Sequence, residues 1–341
     1  MKPLRVLALM HKDLIPPEKP PDGVDLATVE WKTEYDIITT LRDMGHEVKP
    51  LGVRNDLSVI REAIDDWKPH IAFNLLEEFD GLSVYDQNVV SYLELLRMPY
   101  TGCNPRGLML ARDKTLAKKI LSYHRIPSPE FFACPLGETV KRPKRLEFPL
   151  IVKSVSEEAS LGISQASIVT DDEKLKERVA FIHNSVETSA LVERYIEGRE
   201  LYVGVLGTRQ LQVLPAWELI MDKMPDECRR IATERVKWSR KYQTKYGITS
   251  GAAKDLPNGK AGEIQRLAKR VYRSLGLSGY ARIDLRLDSN GKVYVLEANP
   301  NPQIAHDEDF AESAQQAGIP YQDLLQRILN IGLRWRPGRV L

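Results

Sequence analysis

The chain has 341 residues, 43% of them hydrophobic and 28% charged, the composition of a globular protein with room for two or three cored domains. Lys and Arg number 49 against 47 Asp and Glu, a formal charge of +2, which excludes the basic footprint of a nucleic-acid binder. Three cysteines without CxxC spacing argue against a disulfide framework or zinc site, and no apolar run approaches the ~20 residues of a membrane span, so a cytoplasmic protein is expected.

Residues 4–10, "LRVLALM", predict a buried strand. A Pro-rich loop follows, then a helix ("TVEWKTEYDIITTLRDMGHEV") closed by Gly45. "IREAIDDWKP" predicts a second helix, "HIAFNLL" a second buried strand and "YDQNVVSYLELLRMPYTG" a third helix running into a short strand. Strands alternating with helices imply a parallel sheet through about residue 104. "ARDKTLAKKILSYHRIPSPE" reads as a helix broken at Pro127, "FPLIVKSV" as a strand and "DDEKLKERVAFIHN" as a helix on a small second domain. Strands then dominate: "SALVERYI", "RELYVGVLG", "LQVLPAWEL". A long polar segment, 236–257, precedes the helix "AGEIQRLAKRVYRSLG".

The richest stretch is "ARIDLRLDSNGKVYVLEANPNP", residues 281–302. Asn290-Gly291 between alternating apolar runs predicts a two-residue type I′ hairpin turn. That loop sets Asp284 opposite Glu297, Arg282 opposite Asn299 and Arg286 opposite Val295, with Ile283, Leu285, Leu287, Tyr294, Leu296 and Ala298 on the core face. Two carboxylates directly opposite each other repel. Either a hard divalent cation sits between them, with the Asn299 amide as a further oxygen ligand, or Arg282 and Arg286 neutralise a solvated face.

Neither GxxxxGK[ST] nor GxGxxG occurs, so P-loop and Rossmann dinucleotide sites are poor readings. Lys153, alone in an apolar strand, needs a partner: a phosphate, or solvent reached by snorkelling. The small-residue turn "EEASLGIS" could wrap phosphates with its N–H groups or be a plain loop.

Taken in order, "LLRMPYTG", "RDKTLAKKILSYHRIPSP", "PLIVKSVSEEASLGIS", "LVERYIEGRELYVGVLG", "TKYGITSGAAKDLP" and the hairpin resemble an ATP-grasp ligase of the D-alanine–D-alanine ligase type over about residues 70–330. The resemblance implies the ATP-grasp fold, of mixed α/β and α+β class. Residues 1–104 would form a Rossmann-like N-terminal domain with a parallel sheet, 105–190 a small central lobe and 191–341 a C-terminal lobe bearing the metal and substrate site. ATP would lie between the two α+β lobes. Lys114 and Lys153 would meet its phosphates, Glu193 the adenine amino group, the Ile196 backbone the ring edge and Glu200 the ribose hydroxyls. Lys245, from a mobile loop or a disordered linker, would approach the γ-phosphate, with Ser160 also at the catalytic centre. Asp284, Glu297 and Asn299 would hold two Mg²⁺ ions, for which Mn²⁺ could substitute, and Arg282 would stabilise the charge developing in the reaction.

The implied reaction joins a small-molecule carboxylate to an amine through an acyl phosphate, releasing ADP and phosphate, without nucleic acid or membrane and with a homodimer allowed. The sequence departs from the family after "EAN", where "PNPQIAHDEDF" puts Gln303 in place of a glycine and Asp307 or Glu308 near an acceptor-binding serine. An acid there would repel an acceptor's α-carboxylate, unless both acids simply face solvent on a helix's first turn. His306 and Gln303 are further candidate contacts. "NLLEEFDG" replaces the family's donor-side His-Gly pattern. The other readings are a true D-alanine–D-alanine ligase, an ATP-grasp enzyme without an amine acceptor and an inactive nucleotide-binding module.

Overall fold

The computed structural model describes residues 2–156, 162–225 and 227–336. The N-terminal part alternates β1 (Arg5–His11), α1 (Lys32–Asp43), β2 (Glu47–Val53), α2 (Ser58–Trp67), β3 (Ile71–Asn74) and α3 (Asp86–Leu95). Its strands form the expected parallel sheet in the order β2-β1-β3. Strand β1 is apolar on both faces because helices cover both. Val6, Ala8 and Met10 pack with Ile37 and Ile38 of α1, while Leu7 and Leu9 join Ile60 of α2 and Val89 of α3 on the other side. The short strand expected after α3 is reduced to one bridge, Tyr100 against Ala72.

Two helices follow, α4 (Pro105–Arg112) and α5 (Lys114–Tyr123). The first was not expected. Asn104 caps it by accepting the Gly107 N–H at 2.9 Å, and Pro105 opens it. Asp113 caps α5 in the same way through the Leu116 N–H. The central sheet is antiparallel, in the order β4-β7-β5-β6, from β4 (Phe131–Cys134), β5 (Leu150–Ser154), β6 (Ile168–Val169) and β7 (Ala190–Arg194), with α6 (Asp172–Phe181) against it. Leu150, Val152, Leu175, Val179 and Val192 give it a core of its own.

The C-terminal elements are β8 (Arg199–Gly207), β9 (Leu211–Ile220), α7 (Glu234–Trp238), α8 (Arg240–Tyr246), β10 (Thr249–Ala252) and α9 (Lys260–Ser274). They continue with β11 (Tyr280–Leu287), β12 (Val293–Pro300), α10 (Asp309–Gln316) and α11 (Tyr321–Leu333). Five of these strands form an antiparallel sheet, β10-β9-β8-β11-β12. Its inner face shares one continuous core with the N-terminal sheet, with α4 and α5, and with Ile264, Leu267 and Val271 of α9. Gly279 marks how closely these parts meet. A Cβ there would lie 2.1 Å from the Gly102 carbonyl oxygen, and φ is +72°.

The hairpin register at the acids is as expected, but by a different route. Asp288 accepts the N–H groups of Asn290 and Lys292, and only Gly291 of the loop pair takes a positive φ. The turn is therefore one residue longer than a type I′ turn, and Arg286 faces Tyr294 rather than Val295. A bulge at Leu296 then restores the pairing of Asp284 with Glu297 and Arg282 with Asn299. Val295 moves into the core, while Tyr294, paired with Arg286 and bonded by Arg194, and Leu296 lie outside it, correcting the expected faces at all three positions.

Glu34, on the sheet-facing side of α1, is buried, and its Oε2 has no hydrogen-bond partner among the described residues. Burial raises its pKa from 4.5 to about 7. Between those values the unfolded chain gives up the proton more readily than the fold does, so this group weakens folding as pH rises toward 7, by up to about 3 kcal/mol. Glu34→Gln is expected to melt higher than wild type at pH 8, with most of that gain gone at pH 5. A gain independent of pH in thermal melts would show that Glu34 titrates normally.

Candidate active site

Strands β11 and β12 present Asp284 and Glu297 side by side. Asp284 is buried and accepts both arms of the Arg282 guanidinium, at 2.7 and 2.9 Å. Burial pushes its carboxyl up, with Arg282 opposing. Glu297 behaves oppositely. Burial raises it, but Lys114, Lys153, Lys237 and Arg282 outweigh that and hold it at about 2. Lys114, at the N-terminus of α5, stands 3.9 Å from it. The neighbouring Asn299 Nδ2 is buried without a hydrogen-bond partner among the described residues. The two ends of an amide are interchangeable in such a network, so the orphaned position equally offers a carbonyl oxygen.

Among the described residues no group of three or more His, Cys, Asp and Glu side chains could hold a metal ion. A divalent cation here would instead take two carboxylates and an amide, a set that suits Mg²⁺ sharing its remaining positions with water or phosphate. The donor set fits. Arg282 does neutralise Asp284, as the alternative reading of the hairpin held. Arg286, however, is bound elsewhere, to Glu200 at 2.7 Å. Glu200 also accepts the Tyr202 hydroxyl at 3.1 Å.

On the central sheet, Glu193 of β7 is clamped between Lys153 of β5 at 2.6 Å and Lys118 of α5 at 2.7 Å. Burial pushes the Glu193 carboxyl up, and the two ammonium groups more than offset it, so it lies below its usual range. Lys118 went unnoticed in the sequence. Its signal was the spacing Lys114-x-x-x-Lys118, which sets both ammonium groups on one face of α5. Ile196 is buried just beyond β7. Ser160 lies outside the described residues.

The polar segment 236–257, read as a mobile loop or linker, is instead built from α7, α8 and β10. Val236 and Ile248 bury against Met221 and Met224. Lys245 is exposed, with its ammonium over the Tyr246 ring at 4.9 Å. Lys237, half-buried on α7, is the lysine of this segment whose charge lowers both Asp284 and Glu297.

After β12 the chain turns back over α1. The His306 N–H donates to Asp36 at 3.0 Å, and its carbonyl accepts Lys32 at 2.5 Å. Its ring and the Asp307 carboxylate bond each other at 2.7 Å in solvent, and Gln303 is exposed. Asp307 takes φ +70°, and the next residue, Glu308, is half-buried within the field of Lys32 and Arg282. Burial raises the Glu308 carboxyl above its usual range. Asp309 beside it accepts the Ser250 hydroxyl at 2.5 Å. Of the expected substrate residues, Glu308 is half-buried, while Gln303, His306 and Asp307 lie at the solvent edge.

Residues 121–330 match the family model described as the D-ala D-ala ligase C-terminus. A D-alanine–D-alanine ligase of Desulforudis audaxviator is 30% identical over 303 residues, covering 86% of this chain and 90% of that protein. The chain belongs to the D-alanine–D-alanine ligase family. An uncharacterized protein, y4sG, of Sinorhizobium fredii is likewise 30% identical, over 77% of this chain and 75% of its own. The Bacillus anthracis D-alanine–D-alanine ligase complexed with ATP superposes with a TM-score of 0.73 at 24% identity, covering 97% of this chain and 98% of that one, which places the family's ATP-grasp fold here.

In this ATP-grasp ligase, Glu297→Gln and Asp284→Asn should each lower ADP release by at least ~100-fold while far-UV circular dichroism stays unchanged. Release near the wild-type rate by both variants would remove the hairpin from the site.

Proposed function

We propose that this ligase activates a carboxylate with ATP and joins it to a cationic amine that lacks the α-carboxylate of D-alanine. The carboxylate oxygen attacks the γ-phosphorus, the bond to the ADP oxygen breaks and an acyl phosphate forms. The acceptor nitrogen, deprotonated to its neutral form, then attacks the acyl carbon and gives up a further proton, phosphate leaves and an amide remains. Lys114, Lys118 and Lys153 supply the positive field for a nucleotide's phosphates, and Arg282 supplies charge where the oxyanion develops. Asp284, Glu297 and Asn299 would hold Mg²⁺, which when bound neutralises phosphate oxygens and polarises the transferred phosphorus. These acids argue against an inactive nucleotide-binding module, which would need no such set.

The observation that carries the acceptor reading is Glu308, half-buried near the position at which the resemblance puts an acceptor-binding serine. Two like unit charges ~4 Å apart at an effective dielectric of ~20 repel by about 4 kcal/mol, roughly a thousandfold in affinity. Asp309, held by Ser250, adds to the same sign. The test is ADP release with Mg²⁺ and ATP across a panel of carboxylates and amines, with and without Glu308→Ser. Cationic amines lacking a carboxylate should stimulate release by wild type, and Glu308→Ser should shift preference toward D-alanine by at least ~10-fold. Wild-type synthesis of D-alanyl-D-alanine at the rate of a dedicated ligase, on the order of 1 to 10³ per second, would overturn this acceptor reading.

A further inference from the structure

Glu193 sits in the middle of the central sheet, where its direct cross-strand neighbours offer it no charge. Opposite it stand Phe131 on β4 and Ile151 on β5, both apolar. Its cations come from further off. Lys153, two residues along β5 from Ile151 and therefore on the same face, reaches Oε1 at 2.6 Å, and Lys118 reaches Oε2 from α5 at 2.7 Å.

The two lysines are not equivalent. The Lys118 side chain is 3% exposed, and its ammonium lies 5.9 Å from the centre of the Phe131 ring, so carboxylate and ring wall it in. The Lys153 side chain is 14% exposed and is the member of the pair with an open side. Neither Lys118 Nζ nor Glu193 Oε2 completes an aligned hydrogen bond among the described residues, so their approach is one of charge against charge.

A buried carboxylate must keep one cation whatever binds nearby, because an unpaired buried charge costs more than a new ion pair returns. With a single lysine, Glu193 would hold it permanently. With two, one ammonium is in surplus, and exposure decides which of them is free to leave. We infer that Lys118 is a positioning residue, a fixed counter-charge on Glu193 that releases Lys153 to a nucleotide's phosphates, an assignment that rests on the ligase reading above. Lys118 then acts on nucleotide only through Glu193. That separates it from a lysine that touches phosphate itself and from one that merely supports the fold.

Calorimetric titration with Mg-ATP, and with adenosine as a probe that carries no phosphate, tests this on wild type, Lys118→Met, Lys118→Arg, Glu193→Gln and the double variant. Lys118→Met should weaken Mg-ATP roughly tenfold or more and leave adenosine near wild type, and Lys118→Arg, which keeps the charge, should restore part of the loss. In the Glu193→Gln background, where no buried carboxylate claims Lys153, adding Lys118→Met should change Mg-ATP affinity by less than about twofold. That comparison holds even if Lys118→Met alone fails to fold, since the double variant buries neither charge. An equal loss in both backgrounds would place Lys118 on the phosphates and overturn the assignment. So would an equal loss of Mg-ATP and adenosine, or no loss at all, since either makes Lys118 a structural residue. Wild-type protein that does not bind Mg-ATP would overturn the ligase reading itself.

Discussion

Two carboxylates forced side by side across a hairpin are the constraint to which the rest of the molecule answers. Asp284 and Glu297 sit in a largely buried place where one uncompensated negative charge is already costly. The compensation is drawn from several elements: Lys114 from the start of α5, Lys153 from the central sheet, Arg282 from the strand of Asp284 and Lys237 from α7. The charge that keeps Glu297 ionised is thus assembled only when these parts come together. A site that concentrates cations around oxygen ligands is also one ready for a polyanionic nucleotide.

The sequence made the hairpin legible, and the reason is instructive. Asn290-Gly291 suggested a turn one residue too short, because the Asp288 side chain captures two backbone N–H groups and lengthens it. The bulge at Leu296 cancels the error before the strand reaches Glu297. Pattern alone cannot locate such a bulge, since Val295 and Leu296 are both apolar and either could face the core. The alternation of β1 against helices on both sides was readable, as was the parallel sheet, because continuous apolar runs need cover on two faces.

Less legible were features that depend on distant partners. Lys118 looks like an ordinary helix lysine until Glu193 arrives from β7. The polar composition of 236–257 suggested a loop, yet a few apolar residues, Val236 and Ile248 among them, suffice to pack it once Met221 and Met224 are near. Around Asp307 the sequence could not say which neighbouring acid turns inward. The backbone is left-handed at Asp307, whose side chain lies in solvent, and Glu308 is the more buried of the two.

The sharing of one apolar core between the N-terminal and C-terminal sheets, with the central sheet keeping its own, makes the molecule mechanically lopsided. Two of its three parts form a stiff frame that cannot separate without exposing Leu7, Leu9, Leu201 and Ile283 together. The third, a jaw, has a core of its own and meets the frame through polar ties, among them Glu193 with Lys118 and Arg194 with Tyr294, so it can open or melt while the frame stands. Damage to the two regions therefore has different outcomes. A destabilised frame removes the protein altogether, whereas a destabilised jaw leaves a folded, soluble molecule that has lost its grip on nucleotide.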